Sequence, residues 1–378
     1  MTATRVLLTI VALLALIAAL PAYMFATATP VHPEPQKAPS ALQSQPSAQW
    51  SDAVNRAQQI ARAALSKQNL PGLSAAVGID GDIVWAEGFG WADLKQGVPV
   101  TPATRFRIGT ASTALTSAAV GLLGEEGRLN ADDEIRTYVP QVPQTQSPVT
   151  VRQLMERGDG GSSSRGDDGA LARQRCERPV DALLDATGDA RYGWIQVSAA
   201  IEAAAGQPFL TFMHERVFQP RGMNDTGAES AKEENPEDIG GPGEDPPFLT
   251  LLHDLILEPL LKRGTKPSVA PEKWTQPATI YAPGWGPKRV LRYGLHAQHP
   301  RNLSCYAGAM AFYSTPSDLV RFSLGRDTRN HDGELRGARV VSLLTSRERG
   351  IVVAVTSNSD ADTSALARNV AEVFTPHR

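Results

Sequence analysis

Between residues 72 and 90 the chain reads Gly-Leu-Ser-Ala-Ala-Val-Gly-Ile, then Asp80-Gly81, then a second largely apolar run from Ile83 to Gly90. Asp-Gly suits the positive φ of a tight hairpin turn, and the flanking runs, Leu73–Ile79 and Ile83–Gly90, have the length of strands. Strands joined this tightly pair antiparallel. The first hundred residues are therefore committed to a sheet. A second pair of apolar or alternating runs, Arg339–Thr345 and Ile351–Ser357, stands at the other end of the chain, joined by the polar turn Ser346–Arg349.

Helical patterns flank and separate these strands. Ser51 caps a helix to about Gln68, with Val54, Ile60 and Ala64/Leu65 on one side, and Pro71-Gly72 ends it. Thr363 starts a last helix with Leu366, Val370 and Val373/Phe374 inward. Leu115, Ala118/Ala119 and Leu122/Leu123 mark a buried helix of small residues, and Gln196–Ala205 another that stops at Gly206. Ser314–Asp318 reads as a helix start: hydroxyls accept the free N–H groups, and Pro316 sits where no N–H is missed. Gly227–Pro247 is acidic and rich in Gly and Pro, a surface loop. The expected fold class is α+β: an antiparallel sheet built from both chain ends, flanked by terminal helices, with an inserted mostly helical region. The sheet part is placed at about 50–109 and 331–378, and the helical part at about 110–330.

A chain of 378 residues holds one large domain or two medium ones, and 42% hydrophobic against 20% charged excludes a wholly disordered chain. Lys+Arg 37 against Asp+Glu 40 leaves no basic excess to follow a phosphate backbone, so nucleic acid is not an expected partner. Cys176 and Cys305 are too few for a structural zinc site. His214-Glu215 lacks a second histidine four residues on, and His296 and His299 read as a solvated pair. No metal and no cofactor is expected.

The N-terminus predicts export. Arg5 precedes Val6–Ala28, which has no charged side chain, and Ala26-Thr27-Ala28 offers small residues where a signal peptidase reads. The same stretch has the roughly 20 residues that span a bilayer, so cleaved signal and retained anchor both stay open. The expected location is periplasmic, or anchored to the cytoplasmic membrane facing outward. Thr29–Gln49, with Pro30, Pro33, Pro35, Pro39 and Pro46, reads as an extended tether, and the folded domain, 50–378, begins near Trp50. In an oxidising compartment Cys176 and Cys305 pair as a disulfide or stand as separate thiols.

Several segments taken together resemble the serine β-lactamase-like and penicillin-binding protein family. They are Pro71-Gly72-Leu73-Ser74, Gly88-Phe89-Gly90-Trp91-Ala92-Asp93, Thr104–Ile108 before Gly109-Thr110, Gly206-Gln207-Pro208-Phe209, Gln219-Pro220-Arg221-Gly222-Met223, and Tyr306-Ala307-Gly308 leading to Phe312–Leu319. Class C β-lactamases, related esterases and the mitochondrial serine β-lactamase-like protein are the kin. The resemblance covers most of Trp50–Phe374. It implies a β-lactamase/transpeptidase-like fold and amide or ester hydrolysis through an acyl-enzyme.

The motifs that carry such chemistry depart from the pattern. The family's Ser-x-x-Lys, which sets nucleophile and amine one helical turn apart, aligns with Thr110-Ala111-Ser112-Thr113. A threonine hydroxyl at 113 supplies no base at neutral pH. The plain structural alternative has Thr110 capping the buried helix and Thr113 bonded to a backbone carbonyl. The family's tyrosine falls on Asp189-Ala190-Arg191, with Tyr192 three residues on as a replacement or as packing beside Trp194. Gly158–Gly161 and Ser162-Ser163-Ser164 read as a solvated loop. The third motif aligns with His331-Asp332-Gly333: His331 as donor or base, Asp332 and Gly333 as substrate-binding positions, or Asp332-Gly333 as an ordinary turn. The link from Leu324 to His331 is short and leaves the sheet edge open. Two functions follow. One is an impaired or inactive family member that binds a peptidoglycan-derived peptide, another small amide or ester, or a protein partner. The other is an active hydrolase with a rearranged site using Thr110 or Ser112. Oligomeric state is not legible.

Overall fold

The computed structural model describes residues 28–142, 148–156, 175–183, 193–228, 276–283, 289–290, 293–298, 303–325, 331–335, 338–346 and 350–375. The apolar segment before residue 28, most of the acidic 227–247 stretch, the 347–349 turn and the 326–330 link lie outside them.

The chain enters as a strap rather than a tether. Ser40–Leu42 forms β1, which pairs antiparallel with Phe89, Gly88 and Glu87. Val31 and Ala38 are buried. Arg62 fastens the strap by donating to the carbonyls of Pro35 and Ala38 at 3.1 and 2.9 Å. Prolines that suggest an extended linker also suit an edge strand, where one N–H faces outward and is not missed. Trp50 then packs against Phe374 with the rings tilted by 42°, and helix α1 runs Ser51–Lys67. Ser51 is the first helical residue and not its cap; its hydroxyl donates back to the Ser47 carbonyl.

The hairpin is β2 (Gly72–Ile79) and β3 (Asp82–Asp93), turning at Asp80 and Gly81 with φ of 51° and 98°. Val98–Pro99 (β4) folds back on β3, and Phe106–Arg107 (β5) leads into a 3₁₀ turn at Gly109–Ala111. Helix α2 (Ser112–Glu125) follows, then α3 (Val151–Glu156) and α4 (Gly193–Ala205), which ends at Gly206 in the left-handed region. Gly227–Ala228 is β6, and Tyr281–Pro283, Arg289–Val290 and Leu295–Ala297 are β7, β8 and β9. Phe312–Ser314 (β10) precedes α5 (Pro316–Gly325), where Thr315 Oγ1 accepts the Asp318 N–H as expected of this helix start. His331–Leu335 (β11), Ala338–Ser346 (β12) and Ile351–Ser357 (β13) lead to the closing helix α6 (Thr363–Phe374). Asp362 Oδ1 caps α6 by accepting the Ala365 N–H at 3.0 Å.

The main sheet has the order β1-β3-β2-β13-β12-β11, all antiparallel, with β4 beside β3. Strands from both chain ends meet at β2 and β13, at its centre. These two strands are buried throughout and largely apolar because both faces are covered. Val353 and Val355 face α1 and α6 with Leu65, Trp85, Leu366 and Phe374, whereas Val352 and Ala354 face the helical region with Leu115, Ile108 and Val320. Period-two alternation thus feeds two cores from one strand. The middle of the chain is less purely helical than its sequence suggests: it also carries two three-stranded sheets, β5-β10-β6 and β7-β9-β8. Cys176 and Cys305 form a disulfide with a Cα–Cα distance of 4.7 Å, tying the 175–183 segment to the turn before β10.

Candidate active site

The site grows from the turn that joins β5 to α2. Ile108 N–H donates to the Phe312 carbonyl, which fixes the start of the turn against β10. Strand β11 lies at the edge of the main sheet and presses against the same turn. A Cβ at Gly333 would overlap the Ile108 carbonyl oxygen and Val341 Cγ1, and would stand 2.9 Å from Ala111 Cβ. Glycine is required here for the close approach of strand to turn. The Asp332-Gly333 turn reading is therefore replaced by a strand. The glycine's work also differs from making room for ligand along the strand.

A register shift at Gly333/Glu334 bends β11. Beyond it, the Glu334 N–H donates to Thr110 Oγ1 at 3.0 Å. Thr113 Oγ1 donates to the Thr110 carbonyl at 2.9 Å, the structural role the sequence allowed. Thr110 does not cap α2: Ala111 holds that position without a side-chain bond, and the Thr110 hydroxyl turns to β11 instead. Thr110 is half-buried and faces the outer end of the edge strand.

Ser112 points away from Thr110's surface and into the core. It is 0% exposed and its Oγ accepts the Phe312 N–H at 3.3 Å. One residue of helix separates it from Ala111, and that rotation carries its side chain into the core, where β10 needs an acceptor.

Asp332 also leaves the site. Alternation on β11 sends it to the opposite face from Gly333, where Ser342 and Ser364 donate to its two carboxylate oxygens at 2.6 and 2.9 Å. Ser342, 2% exposed, lies 2.8 Å from Thr363 Oγ1 in the same cluster. The carboxylate therefore anchors β11 to β12 and α6, and puts no negative charge beside Thr110. His331 pairs with Leu343 on the Gly333 face of the strand, is partly buried, and lies two residues before the glycine. Tyr192, Asp189–Arg191 and Gly158–Ser164 lie outside the described residues. Sequence reasoning missed Glu334, whose contribution is a backbone amide and leaves no side-chain signal. A polar cleft of about 390 Å³, bordered by Gln68, Glu334, Arg339, Asp360, Ala361 and Asp362, opens beyond it. No group of three or more metal-ligating side chains stands together among the described residues.

A main-sheet edge strand is thus held against the turn into a buried helix, with a backbone amide aimed at the first side chain of that turn. The chain belongs to the Beta-lactamase family, whose model matches residues 57–351, and it is a β-lactamase-related member of the serine hydrolases. It is 27% identical over 164 residues to the putative penicillin-binding protein PbpX of Bacillus subtilis, a match covering 42% of this chain and 41% of that one. It is 38% identical over 95 residues to the mitochondrial serine beta-lactamase-like protein LACTB of Homo sapiens, covering 24% of this chain and 17% of that one. The matched stretches thus span less than half of these relatives. Among solved structures, FmtA of Staphylococcus aureus superposes with a TM-score of 0.59 at 15% identity, covering 91% of this chain and 95% of that one. The D-amino acid amidase of Ochrobactrum anthropi superposes with 0.59 at 18% identity, covering 86% and 99%. These likenesses bear on the fold.

Proposed function

We propose that this chain is a catalytically silent member of its family, exported across the cytoplasmic membrane, that binds a peptidoglycan-derived peptide without cleaving it. The observation that carries the proposal is the hydrogen bonding of Thr110. Among the described residues, the Thr110 hydroxyl is bonded by the Glu334 N–H, which donates to it, while the Thr113 hydroxyl donates to the Thr110 backbone carbonyl. An attacking hydroxyl must lose its proton to a base, and an amide N–H takes none at any working pH. Thr113 is spent on a backbone carbonyl and has no basic pKa. The oxyanion-type donor is in place, and among the described residues no base is hydrogen-bonded to the Thr110 hydroxyl. A donor alone favours binding a carbonyl over breaking it.

The ligand class follows from the family. A penicillin-binding protein and a D-amino acid amidase among the relatives and neighbours are named for ligands bearing amide carbonyls, and a carbonyl oxygen suits the exposed end of β11 beside Glu334. The apolar Val6–Ala28 run supports a location where peptidoglycan is met.

Two measurements test this. A fluorescent penicillin should leave no covalent band on the purified protein, and a fluorescent muropeptide should bind saturably by anisotropy. A covalent band lost in Thr110→Ala overturns the silent reading. Absence of saturable binding overturns the ligand.

A further inference from the structure

We infer that the strap, residues 29–42, is a latch that mild acid opens, with His32 as its proton-sensitive catch. The His32 ring sits over Gly90, where a Cβ would stand 3.0 Å from its Nε2. Nε2 donates to the Pro71 carbonyl at 2.9 Å, and the same carbonyl accepts the Trp91 N–H at 2.8 Å. The Gly90 N–H donates in turn to the Pro39 carbonyl, one residue before β1. One imidazole thus closes the junction of the strap with β2 and β3.

Only the neutral ring suits this place. A proton added at Nδ1 would put a full charge on a side chain that is 4% exposed, and among the described residues no carboxylate forms an ion pair with it. The charged groups on the surrounding elements are engaged elsewhere or exposed. On the strap Glu34 pairs with Lys37 at 2.7 Å, and Arg62 of α1 donates to the strap carbonyls. On β3, Glu87 accepts from Gln58 and Trp85, and Asp93 from Gln96 and Thr279. Lys67 and Lys95 are exposed, and β2 carries no charged side chain. On the small sheet the Tyr281 hydroxyl accepts the Leu94 N–H, and His296 Nε2 meets Gln298. Burial holds the His32 pKa below its ordinary 6.5, the sign such a catch requires. An open strap then takes up a proton that the closed strap refuses, and acid favours opening.

The opening has a boundary in the chain. Of the strap's side chains only Val31, His32 and Ala38 are buried, and β1 is three residues long. Ser44, Gln45 and Ser47 are exposed, whereas Trp50 packs against Phe374 and α1 is rooted in the core. The strap can therefore leave while α1 stays. Its departure bares the β3 edge at Phe89, Gly88 and Glu87 and lifts Val31 from Tyr281 and Leu295.

Hydrogen exchange on the full-length protein tests the latch, with protection corrected for the intrinsic rate at each pH. Peptides covering 29–42 should lose up to about tenfold in protection between pH 7.5 and 5.5, the limit for one proton taken up at an open-state pKa of 6.5. At each pH they should stay well below β13 in protection, because the strap opens while the sheet remains closed. His32→Gln, whose amide still reaches the Pro71 carbonyl, should hold strap protection level across the range, and His296→Gln should keep the wild-type fall. The inference is overturned by wild-type strap protection that ignores pH, by a fall that persists in His32→Gln or vanishes in His296→Gln, or by strap protection equal to that of β13. Should His32→Gln leave the strap undocked at pH 7.5, the wild-type ring decides by NMR titration. A midpoint below 6.5 supports the latch, and one above 6.5 overturns it.

Discussion

The Glu334 amide donates to the Thr110 hydroxyl at 3.0 Å, joining the edge strand to the turn before α2 across 224 residues of sequence. In an acyl-transfer enzyme such an amide meets the oxygen that becomes negative, and its effect depends on a nucleophile and base acting with it. Here, among the described residues, the Thr110 hydroxyl is bonded by the donor and by no base. Thr110→Ser alone should therefore leave the protein unreactive, since a serine without a base is still unactivated. Thr110→Ser with Thr113→Lys restores an amine one helical turn from the hydroxyl, and should show slow labelling by fluorescent penicillin on a gel. Labelling of the single variant at the double variant's rate would refute this account.

Gly333 and Gly121 make a matched test of the strand's close approach. Alanine at 333 meets the Ile108 carbonyl and Val341, and should cost about 1–3 kcal/mol in urea unfolding. Alanine at 121, inside α2 with nothing within 4 Å of the new methyl, should stabilise by up to about 1 kcal/mol. Equal effects would mean that β11 does not press on the turn.

The strap is part of the domain. A chain starting at Trp50 loses β1 and the Arg62 contacts, and uncovers the β3 edge at Phe89, Gly88 and Glu87. It should unfold at lower urea than the chain starting at Thr29 and self-associate through the bare edge, read by light scattering. Identical midpoints would restore the tether.

His32, 4% exposed, lies with Nε2 2.9 Å from the Pro71 carbonyl, and burial lowers its pKa below the ordinary value of 6.5. The carbonyl only accepts, so the neutral ring carries its proton on Nε2. With the folded pKa depressed, His32 contributes stability above pH 6.5 that is lost as pH falls through the lower folded value. Asp318 acts oppositely, because burial raises its pKa above 3.8. The difference between wild type and His32→Gln isolates the histidine: the wild-type advantage in melting temperature should shrink between pH 7.5 and 5.5. An advantage that grows on acidification would contradict the assignment.

The fold was legible where local chemistry and tertiary need coincide. Asp80-Gly81, the Thr315 cap and the apolar run that opens Ile351–Ser357 mark their elements because each residue answers a local demand. The strap was not legible: Pro30 to Pro46 satisfies a linker and an edge strand equally, and only the buried partner β3 decides. At the site, the loss of the Ser-x-x-Lys pair is visible in four letters. The exit of Asp332 to the far face and the entry of the Glu334 amide depend on strand register and a bulge, which the letters do not encode.

The central claim is that the Thr110 hydroxyl has a donor and, among the described residues, no base bonded to it. Its most direct test is turnover of a chromogenic β-lactam and a short-chain ester by wild-type protein beside Thr110→Ala. The account predicts that the two are indistinguishable and at the buffer rate. Wild-type turnover that disappears in Thr110→Ala would make this a threonine-dependent hydrolase and contradict the account.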